Sequence, residues 1–360
     1  MGIFFMRESS LIDVITLVCI LITAGNAQVP TTLFPAIITF GDSTVDVGNN
    51  DYLHTIFKAN FPPYGRDFIN NKPTGRFCNG KLATDLIADI LGFQTYPLAY
   101  LSPKARGKNL LIGANFASAA SGYDDNTAIL NNAITIYEQL DLYKEYMEKL
   151  IEVSGDEKAI SIIKDGLYIV SFGSSDFLQN YYINPLLNQL YSPDQYGSYL
   201  INIFSDFIQD LYDLGARKIG VTSLPPMGCL PAAITIFGFL QNGCIPKLNY
   251  DAQEFNEKIN SEASNLHNQL PGLKIVILDI YTPLYNLVQS PSSKVSGFTE
   301  ARRGCCGTGL VEATILLCNP ISFGTCDNAT TYVFWDSLHP SENANQVLAD
   351  SLIVEGIKLI

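Results

Sequence analysis

Five apolar, β-branched runs constrain what this chain can fold into more than any other feature. They lie at residues 36–40, 110–116, 167–172, 218–222 and 274–280. Most are apolar throughout rather than alternating, the pattern of strands buried on both faces. Between them stand stretches with helical spacing of apolar residues: "KLATDLIADILG", "AITIYEQLDLYKEYMEKLIEV", "YLINIFSDFIQDLYDLGA" and "YDAQEFNEKINSEASNLHNQL". A last helix, "SENANQVLADSLI", follows Pro340 with Ser341 as its cap. Strands alternating with helices predict a three-layer α/β/α fold with a central, mostly parallel sheet. Ligands in such sheets bind beyond the carboxyl ends of the strands.

No Pro/Gly/Ser linker divides the chain, which reads as one domain with an irregular, cysteine-rich insertion at about 295–330. The first 27 residues read as a signal peptide: Arg7 gives a positive end, residues 11–24 are apolar, and Gly25 and Ala27 suit a cleavage site. The mature chain is then 28–360, with no transmembrane anchor, because the apolar stretch is too short to span a bilayer and Asp13 interrupts it. The expected location is extracellular. A net charge of −13 repels phosphate backbones and argues against nucleic-acid partners. Nothing in the composition addresses the oligomeric state.

Cysteine usage agrees with secretion. Cys19 leaves with the leader, Cys229 and Cys244 flank one loop, and Cys305, Cys306, Cys318 and Cys326 crowd another. Paired C-x-x-C units and a nearby histidine are missing, which favours disulfides over a zinc site. Cys229 and Cys244 are expected to bridge, and the other four to pair among themselves. The three connectivities of those four stay open, although a vicinal Cys305–Cys306 bridge is disfavoured. Cys78 is left free. Asn328-Ala-Thr330 is a glycosylation sequon.

The first strand runs into "IITFGDSTVD", which sets Asp42 and Ser43 at a strand end. A serine nucleophile needs a base, and the base needs an orienting group. Of three histidines, His267 reads as a surface residue and His54 as helix packing or surface. His339, in "FWDSLHP", follows Asp336 by three residues, a spacing that allows the carboxylate one imidazole nitrogen and Ser43 the other. "GANFASAASGY" and "SFGSSDF" follow the second and third runs and offer oxyanion donors. The chain lacks a dinucleotide fingerprint, a P-loop, an H-E-x-x-H and a G-x-S-x-G elbow, so neither a cofactor nor a metal is expected.

Taken in order, "FGDSTVDVGNN", "NFASAASG", "GSSDF" and "WDSLHP" resemble the plant GDSL esterase/lipase family of the SGNH-hydrolase superfamily, as do "RFCNGKLATDLIA", "GARKIGVTSLPPMGCLP" and "RGCCGTG". The resemblance covers nearly all the mature chain. It implies the flavodoxin-like SGNH fold and hydrolysis of carboxylic esters, small or lipid, by Ser43 as nucleophile, His339 as base and Asp336 as its orienter. It also implies an oxyanion hole built from the Ser43 N–H, Gly122 and the residue at Ser175, with a register centred on Ala119–Ala120 as the alternative to Gly122. Relatives usually carry Asn where this chain has Ser175. Asp42 is expected to shape the turn. An extracellular acyltransferase using the same acyl-enzyme, and a binding protein with little or no catalysis, are the rival readings.

Overall fold

Six strands form one parallel sheet: β1 (Ile37–Gly41), β2 (Leu98–Ala99), β3 (Ala114–Asn115), β4 (Leu167–Ser171), β5 (Lys218–Thr222) and β6 (Lys274–Leu278), in the order β2-β3-β1-β4-β5-β6. The computed structural model describes residues 32–238, 243–291, 297–307, 318 and 324–360. The expected signal peptide and its cleavage site lie outside the described residues. Leu33–Ile360 packs as one compact unit.

Alternation of side chains along each strand feeds two cores. Ile38 and Phe40 of β1, and Tyr168 and Val170 of β4, enter the larger one with Tyr143 and Phe207. Those two come from the helices Ile136–Ser154 and Pro193–Asp213. Ile37, Leu167 and Ile169 point the other way, against Leu86, Ile87, Ala349 and Leu352. These belong to the helices Ala83–Ile90 and Glu342–Gly356. The result is the three-layer arrangement the apolar runs predict. Phe40 is fully buried, with ring centroids of Phe116, Tyr143 and Phe207 5.2, 5.5 and 5.4 Å away. Burying a side chain of that size contributes roughly 1.5–3 kcal/mol.

The second apolar run departs from expectation. Residues Gly107–Ile112 form a 3-10 turn, and only Ala114–Asn115 is strand. Gly113, at φ +99°, marks the change: a Cβ there would lie 1.9 Å from the Ile37 carbonyl oxygen. The chain enters the sheet only after this close approach, which glycine alone permits. The two-residue β2 is too short to leave a pattern.

The strand order places β1 between β3 and β4. The chain crosses over β1 between those two, so the carboxyl end of β1 is the switch point where a crevice opens. A smaller parallel pair, β7 (Glu300–Gly304) and β8 (Tyr332–Phe334), lies in the cysteine-rich region. Cys305 and Cys306 donate backbone N–H bonds to Phe334 and Trp335, at 3.0 and 2.8 Å. Disulfides Cys305–Cys326 and Cys306–Cys318 then close this region, and Cys229–Cys244 closes the other loop. Cys78 is free and buried. The connectivity that the sequence left open is thus resolved, without a vicinal bridge.

Candidate active site

β1 ends at Gly41, and the next residues turn sharply. Asp42 Oδ1 accepts the Thr44 N–H at 3.0 Å and the Thr44 hydroxyl at 2.7 Å. The Asp42 carbonyl accepts the N–H groups of Val45 and Asp46. Asp42 therefore holds the turn, as expected, and leaves Ser43 at its apex. Gln139, fully buried in the helix Ile136–Ser154, clamps the strand end from behind. Its side chain accepts from the Gly41 N–H and donates to the Gly41 carbonyl, both at 3.0 Å.

Although 296 residues separate them, Ser43 Oγ and His339 Nε2 stand 2.7 Å apart. His339 Nδ1 faces Asp336 Oδ2 at 2.8 Å and Oδ1 at 2.9 Å. Asp336 is about as enclosed as a carboxylate can be, at 1% exposure. Burial pushes its carboxyl up. The charge and ring hydrogen bond of His339, with the backbone N–H groups of His339 and Leu338, outweigh this and hold it below the usual carboxylate range. Those two N–H groups reach Oδ1 at 2.7 and 2.8 Å. The other histidines are elsewhere: His54 is exposed, and His267 is an exposed helix residue bonded through Nδ1 to the Leu273 carbonyl.

A buried amide network joins the first two motifs. Asp46 accepts the N–H of Gly48, Asn49 and Ala119. Asn49 donates to the carbonyls of Asn115 and Ala117, and Asn50 to that of Ala119. Asn115 returns a bond to the Val45 carbonyl at 2.7 Å. The third motif is tied in by Asp176, which accepts from the Tyr123 N–H, the Asp124 N–H and the Thr127 hydroxyl. The three segments that follow β1, β3 and β4 are thereby fixed against one another.

This network also sorts the donors. The Ala119 N–H is engaged by Asp46, and the Ser121 N–H by the Ser118 carbonyl. The N–H groups of Ser43, Ala120 and Gly122 take no acceptor among the described residues. Ala120 sits at φ +68°, a left-handed conformation that glycine adopts without strain. Gly122 needs its missing side chain for another reason, since a Cβ would lie 2.2 Å from Asp176 Oδ1. Ser175 is buried at the head of a π-helical turn, Asp176–Tyr181, and its hydroxyl has no partner among the described residues.

Comparison with known proteins is decisive for the family. The model of the GDSL-like Lipase/Acylhydrolase family matches residues 37–352. The chain belongs to this family. A GDSL esterase/lipase of Arabidopsis thaliana, APG, is 66% identical over 328 residues, covering 91% of this chain and 92% of its own. Two further Arabidopsis thaliana GDSL esterase/lipases are 61% and 59% identical, each over 91% of this chain and 91% and 92% of their own. This GDSL-family protein is accordingly a carboxylic ester hydrolase with an SGNH-type α/β/α fold.

Beside His339, a mostly apolar cavity of about 70 Å³ runs from Thr44, Phe77 and Leu338 inward to the core residues Ile169, Leu278 and Leu352, and Ser43 does not line it. Asn328 is exposed, with its Oδ1 accepting from the Thr330 N–H and hydroxyl. Among the described residues no helix is long and apolar enough to cross a membrane. The motifs do not single out Gln139, Asp46, Asn49 or Asn50 as part of the surroundings of the site. The "DVGNN" that follows Ser43 was the available signal, since buried amides need partners. Gln139 carries no local mark.

Proposed function

We propose that this protein is a secreted serine esterase that works through an acyl-enzyme on Ser43. The observation that carries the reading is the continuous hydrogen-bonded line from Ser43 Oγ through His339 to Asp336. Ser43 Oγ attacks the ester carbonyl while its proton passes to His339 Nε2. Asp336 fixes the tautomer and stabilises the imidazolium that forms. The oxyanion is held by the free N–H of Ser43, by that of Gly122 or Ala120, and by the Ser175 hydroxyl. Collapse expels the alcohol, which takes the proton from His339. Water then attacks the acyl-enzyme with His339 again as base, releasing the carboxylic acid and restoring Ser43.

Secretion is supported by the apolar leader and by three disulfides, which persist in oxidising compartments. The exposed Asn328 is a glycan acceptor in that setting. Incubating the purified protein with a short ester and a competing alcohol tests the reading. Free acid from the wild type and none from Ser43→Ala supports it. Predominant formation of a new ester would make the enzyme an acyltransferase, and turnover by Ser43→Ala would remove the nucleophile assignment.

A further inference from the structure

We propose that Tyr64 is a positioning residue for catalysis, a fourth member of the Ser43–His339–Asp336 line that sets the strength of the base. The inference rests on the triad reading above. Tyr64 Oη donates to Asp336 Oδ2 at 2.9 Å from 272 residues away, and both groups are buried. Asp336 Oδ1 is already held by two backbone N–H groups. Oδ2, the oxygen nearer His339 Nδ1, has Tyr64 as its other donor.

The phenol is placed for this task. Its ring is fully buried and lies edge-on to Phe61 and Phe77, at 5.7 and 5.6 Å. Phe77 also packs on the His339 ring at 5.0 Å, so one aromatic wall aligns both partners of Asp336. The neighbouring backbone is pinned: the Gly65 N–H bonds to the Cys78 carbonyl, and Arg66 reaches Thr325 Oγ1 and the Cys326 carbonyl. Burial and the Asp336 charge push the phenol's ionisation far up, so it stays a donor at every working pH.

A donor on Oδ2 does two things. It stops the carboxylate from rotating away from Nδ1, and it draws charge from the oxygen that stabilises the imidazolium. Removing the hydroxyl concentrates that charge on Oδ2 and makes His339 more basic. The acidic limb of the kcat/KM profile then moves to higher pH, while the loosened carboxylate lowers turnover.

The test is a pH profile of ester hydrolysis by wild type, Tyr64→Phe, and protein with 3-fluorotyrosine at position 64. Tyr64→Phe keeps the ring and is expected to lose roughly tenfold in kcat, the scale of one hydrogen bond to a charged group, with its acidic limb shifted upward. The fluorinated phenol is a stronger donor and shifts the limb downward. It also provides the test if Tyr64→Phe does not fold. Opposite shifts support the proposal. A limb that stays fixed in these proteins, whatever happens to kcat, is the signature of packing alone and overturns it. Ser43→Ala is measured alongside: if it still turns over, the triad reading falls and the Tyr64 proposal with it. An inactive Ser43→Ala with an unmoved limb refutes only Tyr64.

Discussion

Replacing Asp336 by Asn tests how the site holds its histidine. The carboxylate accepts from two backbone N–H groups at Oδ1 and from Tyr64 at Oδ2, with His339 Nδ1 within 2.9 Å of both. In Asp336→Asn the amide has one acceptor oxygen. The two backbone donors at 2.7 and 2.8 Å claim it at the Oδ1 position. The NH₂ group then faces Nδ1 and donates to it. Nδ1 becomes an acceptor, the ring proton moves to Nε2, and His339 can no longer accept the Ser43 proton. The same inversion in a serine protease triad costs about 10⁴ in kcat, or about 5 kcal/mol of barrier. A comparable fall is expected here, with KM changed little, in steady-state hydrolysis of a short-chain ester at neutral pH. Stability follows a separate rule. The folded Asp336 carboxyl lies below its unfolded value, so it contributes stability that is full above about pH 4 and lost as pH falls through the folded value. Acid unfolding of Asp336→Asn lacks that component. A folded Asp336→Asn enzyme within tenfold of wild type would refute the tautomer argument.

Three further outcomes are expected. If Ser175 lies at the oxyanion site as proposed, Ser175→Asn raises kcat by up to roughly tenfold, because an amide reaches further than the unpartnered hydroxyl and a full missing donor is worth about a hundredfold; an unchanged or lower kcat in folded protein would contradict that role or show that the hole is complete with serine. Gly122→Ala lowers thermal stability by roughly 1–3 kcal/mol, since its Cβ would meet Asp176 Oδ1 at 2.2 Å; an unchanged Tm would mean the two motifs are not packed as described. Across a p-nitrophenyl ester series, kcat/KM peaks at about three or four acyl carbons if the 70 Å³ cavity seats the acyl chain, being under half the roughly 150 Å³ that holds a benzene ring; a steady rise to long chains would place the acyl group elsewhere.

Much of this architecture is legible in the sequence because strand burial and helix periodicity are local properties. The runs at 36–40, 167–172, 218–222 and 274–280 overlap β1, β4, β5 and β6, and Ser341 caps the last helix through the Ala344 N–H. The run at 110–116 misled because its composition says apolar but not extended, and the close approach at Gly113 depends on a strand 76 residues earlier. Ser43, Asp336 and His339 can be grouped from the sequence because reactive residue types are few and two of them share one loop, and the structure brings the three within hydrogen-bond reach. Tyr64 and Gln139 cannot be, since a buried Tyr or Gln reveals its purpose only through a distant partner. The oxyanion register stayed open for the same reason. Which N–H groups remain free is decided by the Asp46 and Asp176 networks, not by the motif itself.

The most direct measurement of the central claim is covalent labelling. A serine-reactive alkyl phosphonate mimics the tetrahedral adduct and needs both an activated hydroxyl and an oxyanion hole. Intact and peptide mass spectrometry of the treated protein should show one adduct per chain, on Ser43, with loss of ester hydrolysis in proportion to labelling. His339→Ala should label far more slowly. An adduct on another residue, or full hydrolysis remaining after Ser43 is completely modified, would contradict the account.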